Sequence, residues 1–109
     1  MRKGIMAMVA ATLAIAVAAP VIAGDTASPG IEQRQRNQQR RIYQGVQSGS
    51  LTPGEAARLE REQARIERQE RRFKSDGDFT PVERARVQKR LNHSSRHIYR
   101  AKHNGRVAP

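Results

Sequence analysis

Apolar residues fall into two different patterns along this chain. Ile5 to Ala19 is a nearly continuous apolar run, broken only by Thr12 and ended by Pro20. Beyond it apolar residues are sparse and recur at helical spacing. Ala56, Leu59, Gln63, Ile66, Glu70 and Phe73 follow alternating steps of three and four, a coiled-coil-like seam in which two positions are polar. Val87, Leu91, Ser94, Ile98 and Ala101 form a second such stripe. Ile31, Ile42, Tyr43 and Val46 are the few apolar anchors of a segment otherwise rich in Gln and Arg. These patterns predict three helices, over Ile31–Ser48, Pro53 to about Lys74 and Pro81 to about Lys102. No alternating strand pattern competes.

The starts of the second and third helices repeat each other. Gly49-Ser50-Leu51-Thr52-Pro53-Gly54-Glu55 aligns with Gly77-Asp78-Phe79-Thr80-Pro81-Val82-Glu83. Thr at the N-cap accepts a hydrogen bond from an orphan backbone N–H. Pro in the first helical position has no N–H to leave unpaired, and Glu at the third reaches back to the cap. Thr52, Glu55, Thr80 and Glu83 are therefore expected as helix caps, with Leu51 and Phe79 where a hydrophobic staple lies. Glu67 to Arg71 and Glu70 to Lys74 are favourable i,i+4 pairs. Gly45 weakens the first helix's last turn, and Asn104-Gly105 offers a C-terminal stop. The short connection before Thr80 makes the second and third helices antiparallel neighbours. The expected fold is all-α: an antiparallel helical hairpin with an additional N-terminal helix.

The leading apolar run follows Arg2 and Lys3 and ends in Val21-Ile22-Ala23. That is the layout of a secretory signal peptide. The expected organisation is a signal peptide over 1–23, a flexible leader over 24–30, a helical domain over 31–104 and a tail over 105–109. The protein is then periplasmic or secreted, with no transmembrane span once the signal is cleaved. The run is followed by no Cys, which excludes a lipid-anchored form.

Charge is the feature with functional content. The chain has 21 Lys+Arg against 10 Asp+Glu, and loss of Arg2 and Lys3 leaves 19 against 10, a formal net charge of +9. Most of these cations are Arg, which favours bidentate contact with carboxylate or phosphate. The second helix is nearly balanced. The third has no acidic residue after Glu83, and its Arg84, Arg86, Lys89, Arg90, Arg96, Arg100 and Lys102 are the candidate binding residues for an anionic partner. Export and the lack of an aromatic platform argue against nucleic acid. The remaining anionic partners are an envelope component or unfolded protein clients. So polar a chain has a thin core, which a homodimer would complete.

Little else suggests chemistry. His93 and His97 stand one turn apart on the third helix, a weak metal candidate lacking further ligands. Protonation would add positive charge to that face. Asp76 to Glu83 resembles half of a calcium loop, but Arg72 and Lys74 occupy the first and third ligand positions. No nucleophile–base set or close carboxylate pair is visible, so neither an enzyme nor a cofactor is expected.

Two resemblances bear on these expectations. Gly30-Ile31-Glu32-Gln33-Arg34, Asn37-Gln38-Gln39, Gln44-Gly45-Val46, Leu51 to Ala56 and Ser95-Arg96-His97-Ile98-Tyr99 with Lys102-His103 resemble a group of small exported bacterial proteins without an assigned activity. The paired starts Leu51-Thr52-Pro53-Gly54-Glu55 and Phe79-Thr80-Pro81-Val82-Glu83 also resemble the Leu-Thr-x-x-Gln motifs of Spy- and CpxP-like periplasmic chaperones. They differ in having Glu for Gln, Phe for the second Leu and a much shorter separation. The second likeness implies a stress-type chaperone. The alternative is an envelope-associated protein that binds anionic surfaces.

Overall fold

The computed structural model describes residues 25–105, so the expected signal peptide and residues 106–109 lie outside it. Three helices follow in order: α1 (Pro29–Ser48), α2 (Pro53–Lys74) and α3 (Pro81–Lys102). Helix α1 begins two residues earlier than its apolar pattern predicts, with Pro29 in its first turn. Cross-helix pairs give the topology. Gln63–Ser94 and Glu62–His97 run antiparallel between α2 and α3, while Arg34–Gln88 and Arg41–Ser95 run parallel between α1 and α3. The hairpin of α2 and α3 thus carries α1 docked along both helices.

Both repeated connectors form full capping boxes. Thr52 Oγ1 accepts from the Glu55 N–H at 3.2 Å, and Glu55 accepts from the Thr52 N–H at 3.0 Å. Thr80 and Glu83 do the same at 3.1 and 3.0 Å. Each connector turns through a glycine in the left-handed region, Gly49 (φ 80°) and Gly77 (φ 86°). Two residues later each buries an apolar side chain at its own end of the bundle. Leu51 joins Ile42, Leu59 and Ile98; Phe79 joins Ile31, Ile66, Val87 and Leu91. At the Leu51 end, a Cβ on Gly45 would stand 2.6 Å from the Leu51 side chain. Gly45 is therefore a close-approach position, beyond the helix-weakening role its sequence suggests.

Between the two apolar clusters lies a buried polar layer with one side chain from each helix. Gln63 Nε2 donates to Gln38 Oε1 at 2.7 Å and to Ser94 Oγ at 2.8 Å, and Gln38 Nε2 donates to the Leu91 carbonyl at 2.9 Å. The polar position in the α2 seam is thus satisfied rather than idle.

Residues 25–28 of the expected leader are bonded to the helical body. The Phe79 N–H donates to the Asp25 carbonyl at 3.1 Å, and Ser28 is buried. Ser28 Oγ donates to Glu70, Lys74 donates to Ser28 Oγ at 2.9 Å, and Gln35 donates to Glu70 at 2.9 Å. Of the two expected i,i+4 pairs, Glu70–Lys74 closes at 2.8 Å and Glu67–Arg71 does not. Burial works to raise the Glu70 pKa. The Lys74 hydrogen bond and charge, with hydrogen bonds from Gln35 and Ser28, outweigh it and hold the carboxyl below its ordinary value.

Two outcomes follow. Replacing Gln63 with Leu strands the Gln38 Oε1, so urea melts should show a loss of about 1–3 kcal/mol. Replacing Gln38, Gln63 and Ser94 together with Leu, Leu and Ala should recover most of it; a neutral single substitution would contradict this account. Because the folded Glu70 pKa is depressed, its contribution is present above the unfolded value of about 4.3 and is lost as pH falls through the folded value. Melting temperature should therefore fall less steeply from about pH 5 to pH 3 in Glu70→Gln than in the parent, and parallel curves would refute that assignment.

Candidate functional site

The cations of α3 separate into two groups. Arg84 is committed to the fold: Nε donates to the Phe79 carbonyl at 2.8 Å, and the guanidinium reaches the Ala27 and Asp25 carbonyls at 2.7 and 3.1 Å. It also stacks 4.6 Å over the Phe79 ring. Lys102 Nζ donates to the Arg41 carbonyl at 3.0 Å, tying α3 to α1. Two α1 arginines are spent the same way, Arg34 on Gln88 and Arg41 on Ser95. Arg36 and Arg40 bond neighbours on their own helix. Arg96 is exposed and lies outside the grooves described below.

The second group meets α2 across a shallow groove on the α2–α3 face. The groove has two adjoining parts of about 520 and 550 Å³, which share Glu62 and Arg65. Its cations are Arg58 and Arg65 from α2 and Arg86, Lys89, Arg90 and Arg100 from α3. None of the six makes a side-chain hydrogen bond or ion pair among the described residues. Arg58 and Arg65 were not among the residues expected from sequence.

The groove's two carboxylates are already engaged. Glu62 accepts from His97 Nδ1–H, which lies 3.0 Å from both carboxylate oxygens. Glu55 serves the α2 cap and accepts from Asn104 at 2.6 Å. Six cations against two carboxylates leave the groove with a surplus of donors and positive charge. Its floor includes Leu59 and Ala101 in one part and Ile66 in the other. The groove between α1 and α2 contrasts with it: Glu32 and Glu67 accompany a single Arg36 there.

The histidines do not act together. His97 is held by Glu62, whereas His93 lines the part of the groove with Arg86, Lys89 and Arg90. His103 donates to the Tyr99 carbonyl and stacks on the Tyr99 ring. Among the described residues no group of three or more His, Cys, Asp or Glu is placed to hold a metal ion. In the half calcium loop, Asp76 accepts from the Asp78 N–H and Glu83 caps α3, so the segment is a turn into a capped helix. No helix among the described residues is long and apolar enough to cross a membrane.

Among the described residues the fold is all-α, three helices with a basic face between α2 and α3. No protein-family model, curated protein or solved structure matches the chain.

The division of cations is testable by stability. Arg84→Ala should cost about 1–2 kcal/mol, since it removes charged donors from backbone carbonyls, and should speed amide exchange at Phe79. Arg86→Ala and Arg90→Ala should stay within about 0.5 kcal/mol of the parent. Similar losses in all three would merge the two groups.

Proposed function

We propose that this protein is a non-enzymatic, exported binding protein that holds anionic partners of the cell envelope on its α2–α3 groove. The observation that carries this reading is the set of six cations, drawn from both helices, that no acidic residue of the fold pairs. A cleft in which one sign of charge predominates concentrates field and attracts an opposite surface over roughly a Debye length, about 8 Å at physiological salt. The apolar stripes supply the contrast. Leu59, Ile66, Val87, Leu91 and Ile98 are all buried. Adsorption to an anionic surface is therefore favoured over insertion, which needs a free apolar helix face. Holding unfolded clients on the same stripes, the chaperone-type alternative, would require α1 to leave the hairpin.

Sedimentation with anionic and zwitterionic vesicles tests the reading. Binding is expected to the anionic vesicles only, and to fall with salt. Arg86→Glu with Arg90→Glu should weaken it about tenfold or more, at roughly 1 kcal/mol per basic residue near the surface. Arg61→Glu with Arg68→Glu changes net charge equally but lies outside the groove, and should cost much less. Equal losses would mean bulk charge and not a site. Suppression of aggregation of an unfolding client at near-stoichiometric ratio, unaffected by the groove pair, would instead favour the chaperone.

A further inference from the structure

The two parts of the groove differ in chemistry, and the difference points to a ligand class. This inference rests on the proposed anionic binding and narrows it. Arg86, Lys89, Arg90 and His93 stand at i, i+3, i+4 and i+7 on α3, so they form one continuous face. Arg65 of α2 closes the opposite wall. The only carboxylate in this part is Glu62, which His97 holds from the adjoining part. Four uncommitted cations therefore border one depression of about 550 Å³.

A single carboxylate does not match such a wall. It carries one charge and two coplanar oxygens, which one guanidinium satisfies in a bidentate pair. A phosphate monoester carries close to two charges and presents three terminal oxygens in different directions. It can accept from α2 on one side and from α3 on the other at once. Arg suits this geometry better than Lys because its planar fork donates two parallel N–H bonds. We infer that the part of the groove bordered by Arg65, Arg86, Lys89 and Arg90 is a phosphate-group site, selective for a phosphomonoester over other anions of equal charge density.

The test compares vesicles containing phosphatidic acid with vesicles containing cholesteryl hemisuccinate, matched in zeta potential. The full-length protein should bind the phosphatidic acid vesicles about tenfold tighter, the scale of one added charge-assisted hydrogen bond. Arg86→Lys with Arg90→Lys keeps the charge and removes the forks. It should abolish that preference while leaving binding to hemisuccinate vesicles intact, with circular dichroism confirming the fold. Free glycerol 3-phosphate, a soluble phosphomonoester, then separates the sources. Displacement from phosphatidic acid vesicles assigns a soluble phosphate ester, and a retained preference without displacement assigns a surface-borne head group. Equal binding to both vesicle types overturns the phosphate inference and leaves the anionic reading standing. Binding to neither overturns both.

Discussion

The amide of Gln63 sets the alignment of the three helices. Its two N–H bonds run to Gln38 on α1 and Ser94 on α3, and Gln38 in turn donates to the Leu91 carbonyl. The apolar clusters on either side are small, and apolar contact is not directional. Sliding one helix by a turn would still bury Leu on Ile, but it would strand a buried amide at a cost of about 1–3 kcal/mol. The polar layer thus selects one register among several that hydrophobic burial alone would tolerate. The groove inherits that register. Arg65 lies two residues beyond Gln63, and Arg90 and His93 flank Leu91 and Ser94 in sequence. Which cations face each other across the α2–α3 face is decided by a hydrogen bond in the core.

The repeated connectors perform the same local task at opposite ends and meet different surroundings. Each turns on a glycine, buries one apolar side chain and starts a capped helix. Leu51 lodges against Gly45, where only hydrogen leaves room. Phe79 has a larger face to cover, and the chain covers it with Arg84 and the segment from Asp25 to Ser28. A cluster of buried Ser28 and Glu70 with half-buried Lys74 anchors that segment from the other side. This is why part of the chain's high Arg content belongs to the fold. In a core with few apolar residues, guanidinium groups bonded to backbone carbonyls and stacked on a ring do work that apolar side chains do elsewhere.

The three helices, and the starts of α2 and α3, were legible because their signals are local: capping boxes, Pro at the first turn and periodic stripes; α1, without a capping box, began two residues before its apolar pattern. The all-α hairpin followed from the short connection. The docking of α1 was not legible, because its contact surface is largely Gln and Arg. Gln38, Arg34 and Arg41 read as solvated residues by periodicity, and only the neighbouring helix turns them into cross-links. The candidate site was legible by half. Counting charge along α3 found Arg86, Lys89, Arg90 and Arg100, but it could not separate them from Arg84 and Lys102, which are spent on backbone carbonyls. Counting charge on α2 averaged around the helix and so hid Arg58 and Arg65. Their spacing was the available signal. Arg58 and Arg65 lie seven apart and so share a face, which Glu62 also lines, while Glu60 and Glu67, likewise seven apart, lie on another.

That segregation links the core to the proposed function. Glu67 lines the groove toward α1, and Glu60 accepts from Gln39 on that same side. The acids of α2 are thus drawn largely to the α1 side, and Glu62, which turns toward α3, is met by His97. Docking of α1 buries the apolar stripes and gathers negative charge around itself. The opposite face is left with six cations whose side chains make no hydrogen bond or ion pair among the described residues. Charges held on a rigid two-helix wall have less backbone freedom to lose on binding than the same charges on a flexible tail, so an anionic ligand meets a preorganised surface. The same docking limits how deep any surface partner can be engaged. With Leu59, Ile66, Val87, Leu91 and Ile98 occupied by the core, an intact bundle offers a surface charge and hydrogen bonds, and its seam residues only if the bundle opens; the large apolar side chains it exposes are Tyr43, Val46, Val82 and Tyr99.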